Sequence, residues 1–166
     1  MKKVIVLIEN LFDDQELIYP YHRLREDFEV VLVGSKKNET YKSKSGLELK
    51  SDYASDEVNS DEFDGLFIPG GFSPDYMRRT VATVDLVKAF AKNKKPIAAI
   101  CHGPWMLASA NAIRGKDVTS VVSIKDDLIN AGGNWIDEEL VVSDNILTSR
   151  SPRDLPALMK KFVTMI

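Results

Sequence analysis

Two hydrophobic patterns alternate along the chain. Short apolar runs rich in β-branched residues recur at Lys3 to Ile8, Phe28 to Val33, Leu66 to Ile68 and Ile97 to Ile100. Unbroken runs of this kind mark strands covered on both faces. Between them, apolar residues fall at helical spacing. Asp13 and Asp14 open a helix carrying Leu17, Ile18, Tyr21 and Leu24, with Pro20 inside it as an expected kink or restart. Val81 to Lys92, Ile124 to Ala131 and Arg153 to Ile166 read as further helices. Thr40 to Lys44 and Leu47 to Asp52 flank Ser45-Gly46 and predict a small β-hairpin. Leu140 to Val142 and Ile146 to Ser149, joined at Asp144-Asn145, predict a second one. Alternating strands and helices predict an α/β fold, a three-layer αβα sandwich around a mostly parallel sheet. There is no internal repeat, low-complexity segment or linker, so residues 1–166 read as one domain.

Composition narrows the class without deciding it. A net charge of −3 gives no footprint for nucleic acid. The first apolar run is too short for a signal segment or a membrane span. A single cysteine excludes an internal disulfide and fits a reducing cytoplasm. With no second Cys or His at ligand spacing, neither His22 nor Cys101 predicts a metal site, and nothing calls for a cofactor.

The chemistry concentrates in Pro96 to Trp105, PIAAICHGPW. The stretch reads as a buried strand, a sharp turn at Cys101, and a helix opening at Gly103-Pro104, since proline suits a first helical turn. Ala99, Cys101 and Gly103 parallel the small–nucleophile–small spacing of a nucleophile elbow. At a helix N-terminus beside His102, the thiol is expected below its free pKa of ~8.5. The alternative is a small buried hydrophobe with no chemistry. Trp105 and Met106 read as helix core, and Asp126-Asp127 as a helix-start pair. In open parallel sheets, ligands bind beyond the carboxyl ends of the strands. The loops at Glu9 to Glu16, Pro69 to Asp75 and Cys101 should therefore converge. Gly70 and Gly71 would let backbone approach a ligand, and N–H groups of Gly71 and His102 would serve a developing oxyanion.

AICHGP, with IPGG at Ile68 to Gly71 and TSRSP at Thr148 to Pro152, resembles the PfpI family of intracellular cysteine proteases. That family lies within the superfamily of the parkinsonism-associated deglycase. ELIYPYHRL, FDGLFIPGG and IKDDLINAG extend the resemblance over nearly the whole chain. It implies a flavodoxin-like, class I glutamine amidotransferase-like fold and a cysteine enzyme attacking carbonyl carbon, with Cys101 as nucleophile and His102 as acid/base. It also implies Glu16 beside the thiol, and Asp75 of a neighbouring subunit on His102 in a homodimer or a hexamer. The substrate would be a peptide or a small carbonyl compound such as methylglyoxal. A redox sensor or stress chaperone using reversible oxidation of Cys101 is the non-enzymatic alternative. Three positions depart from the family: Asp75 and Asp13 replace glutamates, and Val121 replaces a tyrosine.

Overall fold

The computed structural model describes residues Met1 to Ile166. In chain order its elements are β1 (Lys3–Leu7), α1 (Asp14–Arg25), β2 (Glu29–Gly34), β3 (Thr40–Lys42), β4 (Glu48–Lys50), β5 (Tyr53–Ala54) and β6 (Gly65–Ile68). There follow α2 (Ser73–Met77), α3 (Val81–Lys92), β7 (Ile97–Ile100), α4 (Pro104–Ser109), β8 (Asp117–Val118) and α5 (Lys125–Asn130). The chain closes with β9 (Asn134–Trp135), β10 (Val141–Ser143), β11 (Ile146–Ser149) and α6 (Leu155–Met165). One sheet runs in the order β10-β11-β7-β6-β1-β2-β5, parallel except where β10 meets β11.

The consecutive apolar residues of the strands divide between two cores. Ile5, Leu7, Leu66, Ile68, Ile97 and Ala99 face one side of the sheet, where α3, α4 and α5 deliver Leu86, Val87, Phe90, Met106, Leu107 and Leu128. Val4, Val6, Ile8, Phe67, Ala98 and Ile100 face the other side, against Leu17 and Leu24 of α1 and Leu158, Met159 and Phe162 of α6. Side chains alternate across a strand, so only a strand buried on both faces needs an unbroken apolar run. The αβα sandwich expected from the sequence is the fold that forms. No helix is long and apolar enough to cross a membrane.

Two details depart from expectation. α1 runs unbroken through Pro20, whose buried ring packs in place while the Glu16 carbonyl forgoes its usual partner N–H. The last helix begins at Leu155, after a 3-10 turn at Pro152–Asp154. There the buried Asp154 side chain accepts from the Arg150 backbone N–H and guanidinium, which holds the chain in a tight turn. The hairpin β3–β4 forms outside the main sheet and is pinned to α1, because the Ser43 and Ser45 hydroxyls both donate to Asp14.

Phe162 is fully buried, with its ring 6.3 Å from that of Phe67. Phe162→Ala should cost about 3–5 kcal/mol through lost burial and the remaining cavity. Val81→Ala, at a residue 74% exposed, should change stability by no more than about 0.5 kcal/mol. Urea denaturation of the two variants checks the contrast.

Candidate active site

The carboxyl ends of β1, β6 and β7 bring three loops together. Cys101 follows β7 with φ at +61°, in the left-handed region that side chains seldom occupy. Two bonds hold it there: its N–H donates to the Ser149 carbonyl at 3.0 Å, and its carbonyl accepts from the Val121 N–H at 3.0 Å. Strain of this kind persists only where the surroundings over-determine the conformation. Gly103 completes the turn, since a Cβ there would lie 2.6 Å from the Ile68 carbonyl oxygen and 2.8 Å from that of Ile100. The elbow shape anticipated from small–nucleophile–small spacing is therefore present.

Glu16 sits in the first turn of α1, where Asp13 caps the helix by accepting from the Gln15 and Glu16 N–H groups at 3.0 and 3.3 Å. Its side chain turns inward and is 1% exposed. Gly70 makes room for it: a Cβ there would strike Glu16 Oε1 and lie 2.9 Å from the Cys101 Cβ. Oε1 is buried without a hydrogen-bond partner. Burial pushes the Glu16 carboxyl up to about 8, and the charge of Asp13 adds to the rise. The nearby Cys101 thiol and the Gly70 and Gly71 N–H groups act in the opposite direction. At neutral pH, Glu16 keeps its proton.

Burial, followed by the charge Glu16 acquires when it ionises, pushes the Cys101 thiol up to about 12. This overturns the expectation of a lowered thiol pKa. The following helix, Pro104–Ser109, is only six residues long, and the His102 N–H alone favours the thiolate against burial and a neighbouring carboxyl. The two groups are in contact, so they lose protons as a pair. The repulsion on the sulfur arises only once Glu16 has given up its proton. The resting site at pH 7 is thus a protonated carboxyl beside a protonated thiol.

His102 Nδ1 lies 3.5 Å from Cys101 Sγ, and Nε2 lies 3.3 Å from Ser123 Oγ. Burial lowers the His102 pKa, and the positive charge of Lys44 lowers it further, so the imidazole is neutral at pH 7. Its ring lies 5.1 Å from that of Trp105. Trp105 is half-buried and packs against the hydrophobic core, while Met106 is fully buried, both as read from the sequence.

A cavity of about 240 Å³ opens over the sulfur, lined by Asp13, Lys44, Gly71, Phe72, Cys101 and His102. Lys44 arrives from the hairpin turn between β3 and β4 and pairs with Asp13 at 3.4 Å. The sequence pattern did not single out Lys44, Phe72 or Ser123. Asp75 lies in the first turn of α2, half-buried and paired with Arg79 of the same helix. The Gly70 and Gly71 N–H groups face Glu16, and the His102 N–H faces the sulfur. No cluster of three His, Cys, Asp or Glu side chains gathers at metal-binding spacing.

Known proteins resemble the chain throughout. The model of the DJ-1/PfpI family matches residues 2–165. A deglycase of Pyrococcus abyssi (strain GE5 / Orsay) is 46% identical over 99% of this chain and 99% of its own length. Deglycase PfpI of Pyrococcus furiosus is 44% identical over the same shares. A crystal structure of a two-domain protein from Anabaena variabilis, with DJ-1/ThiJ/PfpI-like and ferritin-like domains, superposes with a TM-score of 0.97 at 42% identity. The match covers 99% of this chain and 48% of that one, so this chain spans about half of the two-domain protein.

The buried carboxyl makes a pH prediction. An unfolded glutamate titrates near 4.5, and folding raises Glu16 to about 8. Between those values the unfolded chain binds fewer protons than the native one, so native stability falls as pH rises and levels off above about 8. Glu16→Gln should remove this loss, leaving the variant more stable than wild type at pH 8 and the gap closing toward pH 4.5. Thermal melts across that range measure it; a gap that stays constant with pH would show that Glu16 is ionised throughout.

Proposed function

The chain belongs to the DJ-1/PfpI family, and on that premise we propose that it is a deglycase-type enzyme in which Cys101 attacks a carbonyl carbon. The observation that carries this reading is the cysteine on a strained turn at the floor of a cavity, with a neutral imidazole nitrogen 3.5 Å from its sulfur. The family relatives named deglycase, each 99% covered, support the reaction class.

The resting thiol is protonated, so the nucleophile is made when it is needed. As Sγ approaches the carbonyl carbon of an aldehyde, its proton passes to His102 Nδ1. The carbonyl electron pair moves onto oxygen, and that oxygen takes the proton back to give a hemithioacetal. Glu16 holds its own proton at neutral pH and can donate it in a hydrogen bond to the sulfur while charge develops there. In this reading the His102 N–H, which faces the sulfur, serves the carbonyl oxygen as it becomes negative, whereas the Gly71 N–H faces Glu16. A reducing cytoplasm keeps such a thiol available.

Aldehydes suit this site better than peptides. Splitting an amide also requires protonation of a departing nitrogen by a well-aligned acid, and Val121 carries no hydroxyl where the protease members carry a tyrosine. Purified protein should consume methylglyoxal. Cys101→Ala should abolish turnover, and His102→Ala should lower it by about 10²–10⁴-fold. Casein cleavage that needs Cys101, with no loss of methylglyoxal, would assign the site to peptide hydrolysis instead. Stoichiometric oxidation of Cys101 without turnover would assign it to redox sensing.

Asp75 takes part only if a second copy brings it to His102. A closed dimer would build two equivalent sites. Light scattering should then give at least twice 18.6 kDa, and Asp75→Ala should lower turnover without lowering the mass. A fully active monomer would leave Asp75 as a helix-start acid paired with Arg79.

A further inference from the structure

The segment Val121–Asp127 grips the elbow at three points. The Val121 N–H bonds the Cys101 carbonyl at 3.0 Å. Ser123 Oγ meets His102 Nε2 at 3.3 Å. Asp127 Oδ2 accepts from Trp105 Nε1 at 2.8 Å, and Trp105 in turn lies against the His102 ring. The 3-10 turn Val122–Ile124 carries Ser123, and the buried Ile124 anchors that turn in the core. The serine is therefore registered on the same residue whose side-chain sulfur faces the other nitrogen of the ring.

A neutral imidazole carries one N–H and one lone pair, and a hydrogen bond at one nitrogen decides which is which. We infer that Ser123 is a positioning residue: its hydroxyl accepts the Nε2–H of His102 and so leaves the Nδ1 lone pair facing the Cys101 thiol. The inference rests on the reading of His102 as the base for Cys101. It assigns the orienting role to a neutral group of the same chain, where that reading offers the Asp75 carboxylate of a second copy.

The chemistry of a hydroxyl differs from that of a carboxylate at this position. When Nδ1 takes the thiol proton, the imidazolium still donates Nε2–H to Ser123, but no anion neutralises it. The proton is therefore released readily to the newly formed alkoxide. Ser123 is exposed, so the value of the bond lies in the ring orientation and tautomer it selects rather than in stability. The same segment carries Val121 where the protease members of the family carry a tyrosine, so the hydroxyl near the site stands two residues further on.

Long-range ¹H–¹⁵N spectra of histidine-labelled protein test this, in a His22→Gln background that leaves one imidazole to observe. The Nε2–H tautomer should dominate, Ser123→Ala should mix the two tautomers, and Ser123→Thr should restore the first. Alkylation of Cys101 by iodoacetamide at pH 7 should slow about two- to tenfold in Ser123→Ala, the range of one neutral hydrogen bond, and recover in Ser123→Thr. Thermal midpoints should match throughout. A dominant Nδ1–H tautomer in the parent, or tautomer and alkylation rate both unmoved by Ser123→Ala, would overturn the proposal. So would a tautomer that follows Asp75→Asn instead. Protein that turns over no aldehyde, yet loses the Nε2–H tautomer in Ser123→Ala, would sink the enzyme reading and leave this role standing.

Discussion

A carboxyl group out of water beside a thiol is the constraint around which this end of the sheet is arranged. Glu16 Oε1 has no hydrogen-bond partner, and burying an ionised carboxylate in that condition would cost several kcal/mol or more. The side chain meets the constraint by keeping its proton. Its surroundings make the position possible: Gly70 has no Cβ to occupy the same space, and the Ser73 hydroxyl ties the glycine turn together by donating to the Gly70 carbonyl at 2.7 Å. Asp13 caps the helix that aims Glu16 inward and pairs with Lys44 at the cavity mouth. The cap, the glycine turn and the hairpin thus each serve a second purpose at the cavity.

The sequence carried the scaffold well because burial writes itself into consecutive apolar residues. The runs at β1, β6 and β7 had to be apolar on both faces, and the loops at their carboxyl ends had to meet. The elbow was legible for a related reason, since a strand-end cysteine with glycine two residues on and proline after it has few conformations open to it. Electrostatics was less legible. The expected fall in the thiol pKa came from a local rule about helix ends, whereas the shift depends on how deeply Sγ is buried and on a carboxyl 85 positions earlier in the chain. No local pattern reports either quantity. Lys44 and Ser123 were missed for the same reason. Neither lies in a recognisable motif, and only docking of the hairpin on α1 brings Lys44 to the cavity, as docking of the Val121–Asp127 segment on the elbow brings Ser123 to His102. Trp105 packs against the core as read, and its indole N–H, which requires an acceptor, finds Asp127 at the surface.

Neutrality at rest has a consequence for what the site can attack. A standing thiolate reacts with any electrophile that reaches it, including oxidants. A protonated thiol beside a neutral imidazole reacts only when the approaching group draws the proton across, so bond formation and proton transfer proceed together. A carbonyl oxygen that accepts the proton as the C–S bond forms satisfies that requirement internally, and an aldehyde does so with the least crowding in a cavity of about 240 Å³. An amide must in addition place its nitrogen where the proton taken up by His102 Nδ1 can reach it, while Nε2 faces Ser123. Under the proposed function, a site built this way favours addition to small carbonyl compounds over expulsion of an amine.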